Sequence, residues 1–182
     1  MYKMFPLQKD IFNIFHRIPL HKVRVVVLNN CPHDFIGMDG LPAADGIALS
    51  CERIGMTEFF MNIYLELRRC YPDSIDVECT GSVKGWLDQG VFLLDASLTT
   101  IEEKKNKYKD VWRGFTRKVI RTIIEYDDDI PFLLLGKDAQ SYAGVIGNSN
   151  PIVEGPSPHS SKQFQDCNVF VENQELAGRE WK

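Results

Sequence analysis

Six residues that follow an apolar run, residues 29–34, carry side chains that can do chemistry. The stretch reads NNCPHD. Asp34 is a candidate general base and Cys31 a candidate nucleophile, because carboxylates accept protons and thiolates attack carbon. Asn and Pro are also common in turns, and free cysteine is often buried as a small apolar side chain. The stretch therefore predicts either an active-site loop or a turn that ends a strand.

Short apolar runs alternate with helical patterns along the chain and form the elements that must position this stretch. Residues 23–28 are apolar at nearly every position, which is typical of a strand buried on both faces of a parallel sheet. A short extended segment is predicted at residues 46–50, with further strands at residues 90–94, 131–136 and 151–154. Helices are predicted at residues 9–17, 57–69 (with Thr57 as N-cap), 112–126, 139–145 and from about residue 164. The charged residues 102–110 are expected to form a solvated loop or helix end.

This alternation predicts one α/β domain over residues 1–182, with three α/β/α layers around a central, mainly parallel four-stranded sheet. Ligands of such sheets bind outside the carboxyl ends of the strands. The residues at those ends are 29–34, 95–99, 136–139 and 155–159. We therefore expect these four segments to surround one cleft.

Composition limits the possible partners and compartments. The 182 residues carry 21 Lys plus Arg against 25 Asp plus Glu, so no overall positive field favours the binding of nucleic acid. This composition still allows a local basic groove. The five cysteines include no Cys-x-x-Cys pair and no Cys/His spacing that suits zinc. No signal-peptide pattern or apolar run of about 20 residues is present. We expect an intracellular monomer (cytoplasmic, nuclear or virus-encoded in a host cell), not secreted or membrane-bound, with no metal or organic cofactor.

Seven segments, in the correct order, resemble the family-1 uracil-DNA glycosylases over nearly the whole chain. They are FPLQKDIFNIF, KVRVVVLNNCPHD, GIALS, NIYLEL, GWLDQGVFLLDASLT, FLLLGKDAQ and GPSPHS. The resemblance implies the fold of that family, DNA as the macromolecule bound, and base excision by hydrolysis of the bond between base and sugar. It implies no cofactor.

The positions that carry catalysis in the family hold different residues here. The Asp that activates water corresponds to Cys31, and the His that stabilises the developing charge on the base corresponds to Gly155. A neutral thiol supplies no negative charge, and glycine supplies no hydrogen-bond donor from a side chain. Other glycosylase families use Asn at the water-activating position, so Asn30 is a candidate to hold water, with Asp34 as the second candidate base.

The base-binding and DNA-binding positions differ as well. The Asn that reads uracil corresponds to Asp95, the Tyr that excludes the thymine methyl to His33, and the stacking Phe to Leu49. A carboxylate accepts from an amine but cannot donate to a carbonyl, so Asp95 favours a cytosine-type base or simply caps a turn. The DNA-binding loop corresponds to Gly155, Pro156, Ser157, Pro158 and His159. The family's phosphate-gripping loop corresponds to residues 57–59, where Glu58 would repel a phosphate.

These substitutions lead to one principal hypothesis and two alternatives. The principal hypothesis is a glycosylase-fold protein whose ordinary uracil excision is lost or strongly reduced and which binds DNA or a protein partner. Glycosylase-fold proteins that serve as structural parts of viral replication machinery are a precedent that the resemblance implies. The first alternative is an active glycosylase with altered base preference, read by Asp95. The second is a covalent mechanism with Cys31 as the nucleophile.

Overall fold

Four parallel strands form the central sheet of the protein. The computed structural model describes residues 3–37, 39–55, 57–72, 81–102, 104, 107–148 and 150–172. Its strands are β1 (Met4–Phe5), β2 (Val25–Asn29), β3 (Val91–Asp95), β4 (Thr100–Ile101), β5 (Phe132–Leu135) and β6 (Ile152–Gly155). The sheet has the order β3-β2-β5-β6, and β1 pairs with β4 in a separate antiparallel ribbon. The predicted four-stranded parallel sheet is confirmed.

Helices flank the sheet and connect its strands. They are α1 (Asn13–Arg17), α2 (Glu58–Cys70), α3 (Lys84–Asp88), α4 (Lys109–Tyr126), α5 (Lys137–Gln140), α6 (Ala143–Ile146) and α7 (Ser161–Phe164). The chain passes from β2 outward to β3 and then crosses back to β5 on the other side of β2. Because crossovers between parallel strands are right-handed, this reversal brings helices to both faces of the sheet and opens a crevice at the carboxyl end of β2.

Strand β2 is buried on both faces, as its apolar sequence predicts. Its residues are at most 4% exposed, and its backbone pairs with β3 on one side and β5 on the other. The register places Asn29 beside Asp95 of β3 and beside Leu135 of β5. The last residue of β2 therefore lies in the middle of the crevice.

Two longer helices confirm their predicted positions. The Thr57 hydroxyl accepts a hydrogen bond from the Phe60 backbone N–H at 3.2 Å, which is the N-cap contact predicted for α2. Helix α4 buries one stripe of side chains, including Ile120 and Ile123, and begins slightly before the predicted start. Within the charged segment before it, residues 103, 105 and 106 lie outside the described part of the chain.

Four predicted elements differ from the structure. Residues 9–17 were predicted to form one helix, but a 3-10 turn at Gln8–Asp10 comes first and α1 begins at Asn13. Residues 46–50 form a turn rather than an extended segment, because the Asp45 carboxylate accepts from the Ile47 N–H at 3.0 Å and Leu49 has a φ of 64°. Residues 139–145 form the two one-turn helices α5 and α6 instead of one helix. Helix α7 ends at Phe164, where the last predicted helix was expected to begin, and residues 169–172 are helical as well. None of the helices in the described residues is long and apolar enough to cross a membrane.

Candidate functional site

A buried pair of polar side chains, Asn29 and Asp95, forms the floor of the crevice. The Asn29 amide nitrogen donates to Asp95 Oδ1 at 2.8 Å and to the Cys31 carbonyl oxygen at 3.1 Å. Asn29 is 4% exposed and Asp95 is 7% exposed. The hydrogen bond to the Asp95 carboxylate thus comes from the neighbouring strand, not from the turn that Asp95 was expected to cap.

Burial raises the pKa of Asp95 from 3.8 to about 7. The hydrogen bond from Asn29 opposes this rise, and the negative charge of Asp45 adds to it. The side chain is therefore divided between its neutral and ionised forms near neutral pH. The neutral form can donate a hydrogen bond, which the sequence-based reading of Asp95 as a pure acceptor did not include.

One atom of this pair lacks a partner. Asn29 Oδ1 is buried and accepts no hydrogen bond within the described part of the chain. Asn29 and Asp95 both line a small cavity at the carboxyl end of the sheet. Sequence reasoning did not select Asn29 as a site residue, although an amide at the end of a strand buried on both faces was a signal that its polar atoms would need partners.

Three aromatic rings line this cavity, those of His33, Phe59 and His159, and Phe35 packs against His33. These four rings are called the aromatic cluster. The ring centroids of Phe59 and His159 are 4.5 Å apart, and those of His33 and Phe59 are 5.0 Å apart. The cavity behind them has a volume of about 10 Å³, roughly enough for one water molecule. A pyrimidine ring therefore enters only if the aromatic cluster moves.

Cys31 and Leu49 also line the cavity, whereas Asp34 does not. Cys31 is 9% exposed, and Asp34 is half-buried in the loop that follows. Among the described residues that line the cavity, Asp95 carries the one carboxyl group. The position that corresponds to the family's water-activating Asp holds the Cys31 thiol, and the other candidate base, Asp34, lies outside the cavity wall.

Asn30 performs a structural task that the sequence did not reveal. Its Oδ1 accepts from the backbone N–H groups of Asp138 and Ala139, each at 3.1 Å, at the start of α5. The side chain packs against Gly136, where an added Cβ would lie 2.4 Å from Asn30 Nδ2. Because two donors already occupy the amide oxygen, Asn30 is poorly placed to take a proton from water.

The segment 155–159 lies across the crevice and is fixed by helix α2. Asn62 Nδ2 donates to the Pro158 carbonyl oxygen at 2.8 Å. One turn later, Glu66 accepts from the backbone N–H groups of Asp166 and Asn168, both at 2.8 Å. These contacts explain the spacing of polar residues in NIYLEL: one helix face holds the chain on both sides of α7. His159 is exposed, and its ring packs against Phe59 of the aromatic cluster.

Gly155 is packed too closely to carry a side chain. A Cβ atom at this position would lie 2.5 Å from Val169 Cγ1 and 3.1 Å from Leu135 Cδ2. Val169 is 1% exposed and β-branched, so it has little freedom to move. The space next to the end of β6 is therefore occupied by a neighbouring apolar side chain.

A second buried carboxyl group, Asp45, supports the cavity wall and was also missed from the sequence. It accepts from the Ser50 hydroxyl at 2.6 Å and from the Ile47 N–H at 3.0 Å, and burial raises its pKa. These bonds hold the turn that carries Leu49 into the cavity. The one acidic cluster in the described residues with metal-like spacing is Asp127–Asp129, in the turn after α4 and away from this cavity.

Known proteins that are similar in sequence to this chain include uracil-DNA glycosylases. A uracil-DNA glycosylase from Blochmanniella floridana is 33% identical over 183 residues, covering 94% of this chain and 80% of the relative. One from Francisella tularensis subsp. novicida (strain U112) is 33% identical over 175 residues, covering 93% and 77%. No protein-family model matches the chain.

Solved structures show the same fold. The crystal structure of mimivirus uracil-DNA glycosylase superposes with a TM-score of 0.79 at 23% identity over 86% of this chain, which spans 57% of that protein. The wild-type UNG of Nitratifractor salsuginis gives a TM-score of 0.67 at 16% identity, covering 96% of this chain and 79% of that one. A variant of the mimivirus protein was crystallised in complex with UGI.

Proposed function

Because this chain belongs to the uracil-DNA glycosylase family, we propose that it is a DNA-binding member whose ordinary uracil excision is lost or strongly reduced. The contact between Gly155 and Val169 carries the proposal. The family's charge-stabilising histidine corresponds to Gly155, where an added Cβ atom would lie 2.5 Å from Val169 Cγ1, so that no volume is left there for a side chain. The histidine is thus not merely replaced, since the surrounding core has filled its place.

The water-activating group is absent as well. Cys31 lines the cavity where the family has its Asp, Asn30 is occupied as the cap of α5, and Asp34 lies outside the cavity wall. Removing a general base or an electrostatic donor typically lowers the rate ~10²-fold or more, about 3 kcal/mol each. The two losses together reduce ordinary uracil excision by about four orders of magnitude.

DNA remains a suitable ligand for the same edge of the molecule. Lys109 and Lys137 are exposed near the carboxyl end of β5, and the Lys109 ammonium lies 3.6 Å from the Asp138 carboxylate. His159 presents an exposed ring beside a turn that Asn62 holds rigidly. Aromatic rings next to cations are the usual combination for binding an unstacked base and its phosphate.

A second candidate function is base excision with an altered base preference. The observation that favours it is the cavity floor, where Asp95 and the unpartnered Asn29 Oδ1 present acceptors to any ring that enters. This candidate requires a different source of activated water, and Asp34 reaches the cavity only if its loop moves. It predicts an abasic product from an oligonucleotide with the preferred base.

Fluorescence anisotropy and alkaline cleavage on the same oligonucleotides test the proposal. We expect single- or double-stranded DNA carrying uracil to bind, with affinity that falls as salt increases, and to show no strand scission after alkali. His159→Ala should weaken binding several-fold through lost stacking, while the control Glu125→Gln, exposed at the far end of α4, should not.

Rapid uracil excision by the natural protein would refute the proposed loss of activity. Scission at cytosine or another base would establish the second candidate. Absence of DNA binding by the folded protein would instead direct the search to a protein partner.

A further inference from the structure

The floor of the cavity presents two hydrogen-bond acceptors side by side. Asn29 and Asp95 are register partners on adjacent strands, and the amide nitrogen of Asn29 is already used by Asp95 Oδ1 and by the Cys31 carbonyl. This bonding fixes the orientation of the amide, so that its oxygen is the atom left over. The pair therefore offers the Asn29 oxygen together with the Asp95 carboxyl group.

The unpartnered oxygen is the second, independent sign of a ligand. The Asn29 residue is only 4% exposed, and its Oδ1 accepts no hydrogen bond among the described residues. Buried polar atoms are nearly always paired in folded proteins, by protein groups or by a water or ligand. A donor that enters the cavity would satisfy this oxygen.

We propose that the cavity recognises the exocyclic amino group of an extrahelical cytosine-type base through Asn29 Oδ1 and the Asp95 carboxylate. An amino group carries two N–H donors, one for each acceptor. Uracil has a carbonyl oxygen at the same ring position, and with Asp95 ionised that oxygen would face two acceptors without a donor. The inference rests on the proposed binding of DNA, but it does not require that the base be excised.

The arrangement also explains why an amide appears at position 29. The resemblance assigns the base-reading amide to the position of Asp95, on β3, whereas here the amide lies one strand away on β2. Donation from Asn29 holds the Asp95 carboxylate in place and leaves the amide oxygen without a protein partner at a residue that lines the cavity. The amide thus acts with the carboxylate as one recognition unit.

Entry of the base requires the aromatic cluster to separate. His159 lies on the exposed turn after β6 and closes the cavity from outside, while His33 and Phe59 are buried beneath it. Displacement of the exposed His159 ring opens the path without unfolding either buried ring. A flipped pyrimidine then packs against Phe59 in place of that ring.

Duplexes that bind but resist cleavage test the inference. The three duplexes carry 2′-fluoroarabinocytidine, 2′-fluoroarabinouridine or tetrahydrofuran at one position, opposite an abasic analogue. The fluorine of the first two suppresses breakage of the glycosidic bond, and tetrahydrofuran has no base. We expect the natural protein to bind the cytosine duplex at least tenfold more tightly than the uracil duplex, about 1.4 kcal/mol. Asp95→Asn, which replaces an acceptor oxygen by a donor nitrogen at unchanged size, should reduce this ratio to below twofold or invert it.

Asn150→Ala is the matched control, because Asn150 is also a buried asparagine with an unpartnered Oδ1 but does not line the cavity. Asn150→Ala should lower stability and leave the preference for the cytosine duplex over the uracil duplex unchanged. Asn29→Ala should abolish that preference. Equal binding of cytosine and uracil duplexes by the natural protein would overturn the inference and leave the proposed DNA binding intact. Failure to bind any of the three duplexes would overturn both.

Discussion

Replacing Asp95 by asparagine is expected to stabilise the protein, and more so as pH rises. The carboxyl group is buried and its pKa is raised from 3.8 to about 7. Between these two values the folded protein holds a proton that the unfolded chain has released. The folded state therefore binds more protons, and stability falls as pH increases through this range.

The size of the effect follows from the pKa. A difference between 3.8 and about 7 corresponds to about 4 kcal/mol of lost stability at pH 8, where Asp95 is ionised in both states. At pH 5 only part of this range has been crossed, so the loss is about 2 kcal/mol. Asparagine keeps the shape and can still accept from Asn29 Nδ2, but it has no charge to bury.

Urea unfolding of the natural protein and of Asp95→Asn at several pH values measures this difference directly. Groups that titrate in both proteins cancel in the comparison. The variant should be more stable by about 2 kcal/mol at pH 5 and about 4 kcal/mol at pH 8. Asp128→Asn, on the exposed turn after α4, is the matched control and should show no such trend. A stability difference that stays constant with pH, or a less stable Asp95→Asn, would refute the reasoning.

Three further substitutions test the contacts that hold the site. Glu66→Gln should lower the free energy of unfolding by about 3 kcal/mol, because the buried carboxylate accepts from Arg69 and from two backbone N–H groups; a loss below 1 kcal/mol in urea unfolding would contradict this. Thr57→Ala should cost about 1 kcal/mol through the lost N-cap, measured in the same way, and an unchanged midpoint would argue against the cap. Gly155→Ala should destabilise the protein by roughly 1–3 kcal/mol. The same substitution should cost less in a chain that already carries Val169→Ala, because the smaller side chain leaves room for the added methyl group. Equal costs in the two chains would show that the two positions do not clash.

The sequence predicted the sheet and the long helices because their signals are local. An uninterrupted apolar run is enough to identify β2, and Thr57 followed by a periodic apolar pattern is enough to identify the start of α2. Residues 46–50 were misassigned because their shape depends on the Asp45 side chain, whose bonds to Ile47 and Ser50 turn the backbone. A hydrophobic pattern contains no information about such a bond.

The candidate site was predicted only in part, since its chemistry depends on contacts across the fold. The strand ends predicted that Cys31, His33 and Asp95 would lie together, and all three line one cavity. The role of Asn29 depends on its register with β3, and the obstruction at Gly155 depends on a side chain 14 residues later in the sequence. Neither relationship can be read from spacing along the chain.

The most direct test of the central claim is the single-turnover rate of uracil excision by the natural protein and by a re-armed variant. The variant combines Cys31→Asp and Gly155→His with Val169→Ala, which removes the methyl group that blocks the new side chain. Our account predicts no excision above the protein-free control for the natural chain and a rise of ~10²-fold or more in the variant. Ready excision of uracil by the natural chain, unchanged by Cys31→Ala, would contradict it.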